Sequence, residues 1–271
     1  MRTAKACAAL FKMRVAEQLQ YRMAAFANSS IGIFWGVLQI VMITVFYTFG
    51  SENNAAITLS QAITYMWLVQ ILLGIINNLN IDGDIRGQIT SGNLAVELCR
   101  PLDLYAHWFA KTAANRLGSS FWRGVIILIV ALIAPAAYRL SVPYSAVGFG
   151  LFLISVFSAF ILCTAVAMFL TAVRVGLTWG EGPTYALAMV GGFLSGAFLP
   201  LPLWPDFLQG ALLFQPFAGL MDIPFRLYIG VMPPSDAVWA IGLQLFWAAA
   251  FIALGKLLMR HRLKRLIVQG G

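Results

Sequence analysis

Long runs of apolar residues alternate with short polar stretches along the whole chain. A helix needs about 20 apolar residues to cross the hydrocarbon core of a membrane, because lipid cannot hydrogen-bond an exposed backbone. Six runs reach this length, so the pattern predicts an all-α integral membrane protein with a single transmembrane domain over residues 1–271. The six predicted spans are residues 26–49, 59–81, 117–137, 146–173, 184–201 and 237–259.

Two further segments are neither spans nor ordinary loops. Residues 3–21 carry apolar side chains at helical spacing with charged residues between them, which favours an N-terminal helix lying in the membrane interface. Residues 202–234 are too apolar for an ordinary loop, yet several prolines interrupt them. They indicate two short helices, 205–214 and 217–229, in a broken re-entrant hairpin in the outer leaflet. A frayed tail and a membrane-skimming loop are the respective alternatives.

The basic residues predict the orientation, because Lys and Arg beside spans are retained in the cytoplasm. Of the 18 Lys and Arg residues, 16 fall on the side of both termini, and only Arg139 and Arg226 fall on the other. The composition, 61% hydrophobic and 10% charged, agrees with a multi-pass membrane protein. The net charge of +8 does not indicate nucleic-acid binding, since the basic residues flank spans instead of gathering on one soluble module.

Several classes of chemistry lack the residues that they require. No G-x-x-x-x-G-K-[ST] phosphate-binding loop is present, so the chain is not expected to bind ATP itself. His107 and His261 flank spans, and no carboxylate pair lies centrally within one, which argues against catalysis. Cys7, Cys99 and Cys163 have neither disulfide nor metal-binding spacing. We therefore expect no enzymatic activity and no metal or cofactor bound by this chain.

Two classes without an ATPase remain open. Ion-coupled secondary transporters usually carry ionisable residues or broken helices at mid-membrane. None of the six predicted spans carries an acid at its centre. A polar cluster between Asn77 and Asp84, near the end of the second span, keeps this class as an alternative, although helix capping also explains the cluster. A non-transport membrane scaffold is the other alternative.

The connection between the second and third spans, residues 82–116, has the most specific sequence. Residues 89–103 follow the pattern I-x-x-G-x-L/I…E-L-x-R-P-L-D. Together with the interfacial helix, the six spans and the broken hairpin, this connection resembles the permease subunits of type-2 ATP-binding-cassette (ABC) exporters. The turn Arg100–Asp103 and residues 22–28 are most similar to a bacterial subgroup that includes viologen exporters.

The resemblance implies that this connection forms a short coupling helix that docks in a cleft of an ATPase subunit. Apolar anchors and charges that fix the register of such a contact are candidates for coupling. They are Asp84, Arg86, Leu94, Glu97, Arg100, Pro101, Leu102 and Asp103. Alternatively, the charges solvate a loop. The resemblance also implies two ABC ATPase subunits that hold ATP and Mg²⁺, a second permease copy, identical or related, and a bacterial cytoplasmic (inner) membrane.

Residues in the first, second and fifth spans are candidates for a substrate path. They are Trp35, Gln39, Trp67, Gln70, Phe193 and Phe198. Aromatic faces attract cations, so we expect export of a hydrophobic, amphipathic or cationic compound, as in multidrug efflux. Gly192 and Gly196 lie four apart and are candidates for a helix-packing or dimer seam. Lipid-facing and intramolecular packing roles are the alternatives for these two sets.

Overall fold

The described residues form helices connected by turns. A computed structural model of the protein describes residues 2–20, 22–49, 56–77, 79–91, 97, 103–175 and 182–264. Within these ranges there are ten α-helices and no strand, which confirms the predicted all-helical class. In chain order they are α1 Arg2–Leu19, α2 Arg22–Phe49, α3 Leu59–Ile76, α4 Gly83–Thr90, α5 Leu104–Ile133, α6 Ala146–Arg174, α7 Gly182–Leu194, α8 Asp206–Phe214, α9 Asp222–Ile229 and α10 Pro234–Leu263.

Five of the described helices, α2, α3, α5, α6 and α10, are long and apolar enough to cross a membrane. They coincide with five of the six predicted spans. Helix α7 has 13 residues, which at about 1.5 Å each cover about 20 Å, less than the roughly 30 Å of a hydrocarbon core. The layout with six spans therefore stays a prediction.

Three helices differ by five residues or more, at one end, from the bounds predicted for their spans. Helix α3 ends at Ile76, before the predicted residue 81. Helix α5 begins at Leu104 and not at residue 117, because the Asp103 side chain caps it by accepting the N–H of Ala106 at 2.7 Å. Helix α7 ends at Leu194 and not at residue 201, because the chain turns at Gly196, whose φ of +85° is left-handed.

Side-chain caps also fix the starts of two spans. The Thr58 side chain accepts the N–H of Gln61, and the Gln61 side chain accepts the N–H of Thr58, so α3 begins with a capping box. The Ser145 hydroxyl accepts the N–H of Gly148 at 3.0 Å and caps α6. These caps satisfy N–H groups that have no partner within the helix.

The packing is organised around two helices. Helix α5 packs against α1, α2 and α3, and α6 packs against α10 and α9. Contacts of α6 with α3 and α5 join the two sets. The buried Gln244 side chain of α10 donates to the Gly219 carbonyl at 2.6 Å and accepts the Ser155 hydroxyl of α6 at 3.1 Å. Paired in this way, an amide is tolerated in an otherwise apolar interface.

Helix α1 lies along the first half of α5. A Cβ at Gly118 would lie 2.7 Å from the Gln18 Cβ, so this glycine permits close approach of the two helices. The Trp122 indole donates to the Leu19 carbonyl at 3.1 Å and holds the end of α1. The helix predicted for residues 3–21 is therefore present, and its place in the membrane interface stays a prediction.

The two short helices predicted before the last span are present as α8 and α9, although α9 begins at Asp222 and not at residue 217. In α9 the fully buried Asp222 carboxylate pairs with Arg226 one turn later and accepts the Tyr65 hydroxyl at 3.3 Å. Burial raises the pKa of Asp222, and the Arg226 guanidinium opposes that shift. Gly230, with a φ of +79°, ends α9. The re-entrant position of the pair stays a prediction.

Close packing of α3 on α5 predicts a strong effect of a side chain at Gly74. A Cβ there would lie 2.9 Å from the Ser120 Cβ, so we expect Gly74→Val to destabilise the protein by about 1–3 kcal/mol. Gly242→Val in α10 is the matched control, because a Cβ at Gly242 meets nothing within 4 Å. The measurement is thermal unfolding of both variants in detergent, and equal melting temperatures would contradict the prediction.

Candidate functional site

The start of α4 is fixed to α5 by one carboxylate. One Asp82 side-chain oxygen accepts the backbone N–H groups of Asp84 and Ile85, at 3.1 and 3.2 Å, and caps α4. The other accepts the Asn115 amide of α5 at 2.7 Å. A single side chain thus sets both the first turn of α4 and its position against the long helix.

An ion-pair cluster joins α4 to two further helices. The Asp84 carboxylate lies 3.2 Å from the Lys111 ammonium of α5 and 3.4 Å from the Arg14 guanidinium of α1. The Lys111 side chain is only 7% exposed, so its ammonium group is largely removed from solvent where it contacts Asp84 of α4. Asp84 was predicted to contact a soluble partner, and the structure places its carboxylate between these two cations.

The opposite side of α4 is apolar. Ile85 is fully buried in a cluster with aromatic and aliphatic side chains of α5, α6 and α10. These are Tyr105, Trp108, Met168, Ala172, Val175 and Met259. Arg86, another predicted coupling residue, donates to the Tyr185 hydroxyl of α7 at 2.7 Å. Helix α4 therefore contacts α1, α5 and α7, and Ile85 joins an apolar cluster that includes residues of α6 and α10.

The remaining predicted coupling residues fall in two groups. Glu97 is buried, accepts the Gln88 amide of α4 at 3.2 Å and lies 3.7 Å from the His107 ring of α5. Asp103 caps α5, as described above. Leu94, Arg100, Pro101 and Leu102 lie outside the described residues. A role of any of these residues in contact with an ATPase stays a prediction.

Three basic residues of this region were missed by the sequence analysis as site candidates. Besides Arg14 and Lys111, the buried Arg116 of α5 donates to the Cys163 sulfur at 2.7 Å and to the Asn80 carbonyl at 3.1 Å. All three serve contacts between elements distant in sequence. Lys111 and Arg116 were interpreted as part of a polar connection because the start of α5 was placed too late.

A cavity of about 770 Å³ lies between α2, α3, α5 and α7. Most of its surface is apolar and includes Ile31, Val69 and Met189. A smaller cavity of about 170 Å³ adjoins it on the side of α4 and is lined by Arg86 and Tyr185. Tyr185 lines both cavities, so the residue that α4 contacts is part of the wall of the larger one.

A chain of polar side chains crosses the wall of the larger cavity. Arg123 of α5 donates to the Gln70 carbonyl at 2.7 Å and to the Gln70 side-chain oxygen at 3.2 Å. The Gln70 amide of α3 donates to the Gln39 side chain of α2 at 2.9 Å. The Gln39 amide donates to the Ala197 carbonyl, beyond α7, at 3.0 Å. One hydrogen-bonded network thus links the elements on all sides of the cavity.

The predicted substrate-path residues divide into two groups. Trp35, Gln39, Gln70 and Phe198 line the larger cavity. Trp67 does not line it, because its indole is buried and donates to the Tyr138 carbonyl at 2.8 Å. Phe193 also lies away from the cavity lining, and its ring packs edge-on against Trp204 at a centroid distance of 5.4 Å. Binding of a substrate by the lining residues stays a prediction.

The two glycines proposed as a packing or dimer seam lie in different environments. Gly192 is on α7 and lines the cavity. Gly196 lies beyond the end of α7, in its left-handed conformation against the Tyr65 hydroxyl group. They therefore do not form a pair of small residues on one helix face. A dimer seam at this part of the chain stays a prediction.

Among the described residues, no cluster of three or more His, Cys, Asp or Glu side chains is placed to hold a metal ion. The described carboxylates of this region, Asp82, Asp84 and Glu97, instead contact amides and basic side chains of neighbouring elements.

Long apolar helices around a cavity define the class as a multi-pass membrane protein. A model of the family described as ABC-2 family transporter protein matches residues 33–270. The chain belongs to this family, which implies an ABC ATPase partner and typically a dimer. A search of curated proteins finds no significant match. The predicted resemblance to ABC-2 permeases is confirmed, and the viologen-exporter subgroup stays a prediction.

Proposed function

We propose that this chain is the permease subunit of an ATP-driven exporter and that α4 is its coupling helix. Two separate ABC ATPase subunits would bind ATP and Mg²⁺ and hydrolyse the nucleotide, because this chain carries no phosphate-binding loop of its own. The cargo is a hydrophobic, amphipathic or cationic compound held in the cavity between α2, α3, α5 and α7.

One contact carries this proposal. Arg86 of α4 donates to the Tyr185 hydroxyl at 2.7 Å, and Tyr185 lines the cavity. A displacement of α4 by an ATPase would therefore move a cavity-wall residue directly. The Asp84 ion pairs with Arg14 and Lys111 would carry α1 and α5 along. Such a movement of packed helices against one another is a common form of conformational switching.

The proposed location is the bacterial cytoplasmic membrane, with both termini in the cytoplasm. The placement of 16 of the 18 basic residues on one side of the predicted spans supports this orientation of the termini. The bacterial membrane is what the resemblance to the exporter subgroup implies. The proposed assembly is two permease copies, identical or related, with two ATPase subunits. A kinship with viologen exporters, and hence multidrug efflux, is part of the same proposal.

Affinity purification in mild detergent tests the assembly. The tagged protein should co-purify an ABC ATPase at one ATPase per permease. A protein that purifies alone and moves substrate in response to an ion gradient would instead be a secondary transporter. One that purifies alone and moves nothing would be a scaffold. Either of these outcomes would overturn the proposed function.

Substitutions in the coupling segment test the mechanism. We expect Glu97→Gln and Arg100→Gln each to abolish ATP-dependent export and substrate-stimulated ATPase activity, because charges at such a contact fix its register. Membrane insertion should be unchanged. The readouts are transport into inside-out vesicles and ATP hydrolysis by the purified complex.

The exposed Arg139 provides the control for these variants, since it lies on the predicted opposite side of the membrane. Arg139→Gln removes the same charge as Arg100→Gln and should export at the rate of the unmodified protein. Export at that rate by Glu97→Gln and Arg100→Gln would contradict a coupling role for this segment.

A further inference from the structure

The larger cavity has an unbalanced charge. Arg123, on the third of the long apolar helices, lines it, and no Asp or Glu is among the described residues that do so. Two described carboxylates of the α4 region are already engaged: Asp82 with Asn115, and Asp84 with Arg14 and Lys111. The described wall of the cavity therefore combines one cation with a mainly apolar surface.

The Arg123 guanidinium retains donors for a ligand. Its two hydrogen bonds to described residues, both to Gln70, use two of the five N–H groups that an arginine carries. Gly32 of α2 leaves space for the group, because a Cβ there would lie 2.7 Å from an Arg123 terminal nitrogen. Gly32 lines the same cavity, so the guanidinium lies at its surface.

A cation in such surroundings favours a negatively charged ligand. Removing a guanidinium from water carries a free-energy cost that an opposite charge offsets and a second positive charge increases. Guanidinium groups also match the geometry of phosphate and carboxylate oxygens. A cavity of about 770 Å³ is large enough for a drug-sized molecule, and Trp35, Val69 and Phe198 supply apolar contacts.

We propose that this cavity binds an acidic amphiphile, with a phosphate or carboxylate head beside Arg123 and an apolar portion along the α2 and α7 side. This inference rests on the proposed function and specifies its substrate class. It departs from the cationic cargo that the aromatic residues and the kinship with viologen exporters suggest, because a cationic head would be repelled by Arg123. The acidic head group that Arg123 would bind is the same whether the cargo enters from the lipid leaflet or from the cytosol.

Fluorescence quenching by a brominated lipid tests this assignment. The purified full chain, in a neutral maltoside detergent, is titrated with lysophosphatidic acid that carries a brominated acyl chain. Lysophosphatidylcholine with the same chain is the comparison probe. Trp35 lines the cavity and is 52% exposed, so Trp35→Phe identifies the part of the quenching that arises there. We expect saturable quenching of Trp35 by the acidic lipid and weaker binding of the zwitterionic one.

Three variants then assign the selectivity to Arg123. Arg123→Gln should weaken binding of the acidic lipid by about tenfold or more, since it removes a hydrogen bond to a charged group. Arg123→Lys should recover only part of the affinity that Arg123→Gln loses, because it keeps the charge but not the planar fork of donors. Gln70→Glu leaves Arg123 in place but puts a carboxylate beside the guanidinium and offsets its positive charge. This variant should therefore weaken binding of the acidic lipid as Arg123→Gln does. Arg139→Gln, at an exposed position that does not line the cavity, should not change the affinity.

Three results would overturn the assignment. They are equal quenching by the two lipids, unchanged affinity in a folded Arg123→Gln or Gln70→Glu variant, and complete displacement of the lipid by inorganic phosphate in large excess. The last would mean that a free anion, and not an amphiphile, occupies the site. Gel filtration establishes that each variant is folded. No ATPase is present in this assay, so its failure and the failure of the coupling proposal are separate results.

Discussion

Replacing Ile85 by aspartate is expected to abolish ATP-dependent export while the protein remains in the membrane. Ile85 of α4 is fully buried in the apolar cluster that contains Tyr105 and Trp108 of α5. A carboxylate without a partner in such surroundings costs several kcal/mol, so α4 would detach from the long helices and could no longer move them. Export in proteoliposomes that contain the complex should fall by more than about tenfold.

Gly242→Ala in α10 is the control, because it lies outside the proposed coupling segment. A Cβ at Gly242 meets nothing within 4 Å, and alanine favours a helix more than glycine does. This variant should export at the rate of the unmodified protein. Normal export by Ile85→Asp, with the same amount of protein in the membrane, would show that anchoring of α4 to the long helices is not needed for coupling.

The second large effect is expected at the buried ion pair of α9. Asp222→Asn leaves the Arg226 guanidinium, only 8% exposed, without its carboxylate. Loss of one partner of a buried pair costs about 3–5 kcal/mol, because the other charge stays desolvated. The free energy of unfolding, measured by chemical denaturation in mixed micelles, should fall by this amount. Asp236→Asn, at an exposed position of α10, should have almost no effect.

A double variant separates the charge from the packing. Asp222→Asn combined with Arg226→Met removes both charges and keeps an apolar side chain of similar length. Replacing a whole buried ion pair by apolar groups is often neutral. The double variant should therefore recover most of the lost stability. Equal destabilisation in the single and double variants would show that the pair acts through shape and not through charge.

The long helices were predictable because lipid imposes a strong condition on the sequence. A span must satisfy its backbone internally and be apolar over its whole length, so five long helices follow directly from the apolar runs. The two short helices α8 and α9 were also predictable, since prolines interrupt an apolar segment. In both cases the deciding physical property is local to the chain.

The site was less predictable because its contacts join residues distant in sequence. Lys111 and Arg116 belong to α5, but the sequence gives no sign of their partners Asp84 and Cys163. Without those partners, basic residues indicate a solvated connection. Trp67 illustrates the same limit, since only the folded structure shows that its indole donates to Tyr138 and is buried.

The end of α7 was locally encoded but was interpreted wrongly. Gly196 adopts a left-handed conformation that glycine permits, and Pro200 and Pro202 follow it closely. These three residues were sufficient to predict a helix end before residue 201. The apolar character of the segment outweighed them, because the predicted span was assigned by hydropathy and length.

The packing of α1 on α5 has a consequence for biosynthesis. The Trp122 indole that holds the Leu19 carbonyl follows it by 103 positions. During N-to-C synthesis, the first helix therefore emerges from the ribosome long before its main binding surface exists. Helix α1 cannot pack in its final position until α2 and α3 have been inserted and α5 has followed them. Packing of the N-terminal helix is therefore a late step that depends on α5.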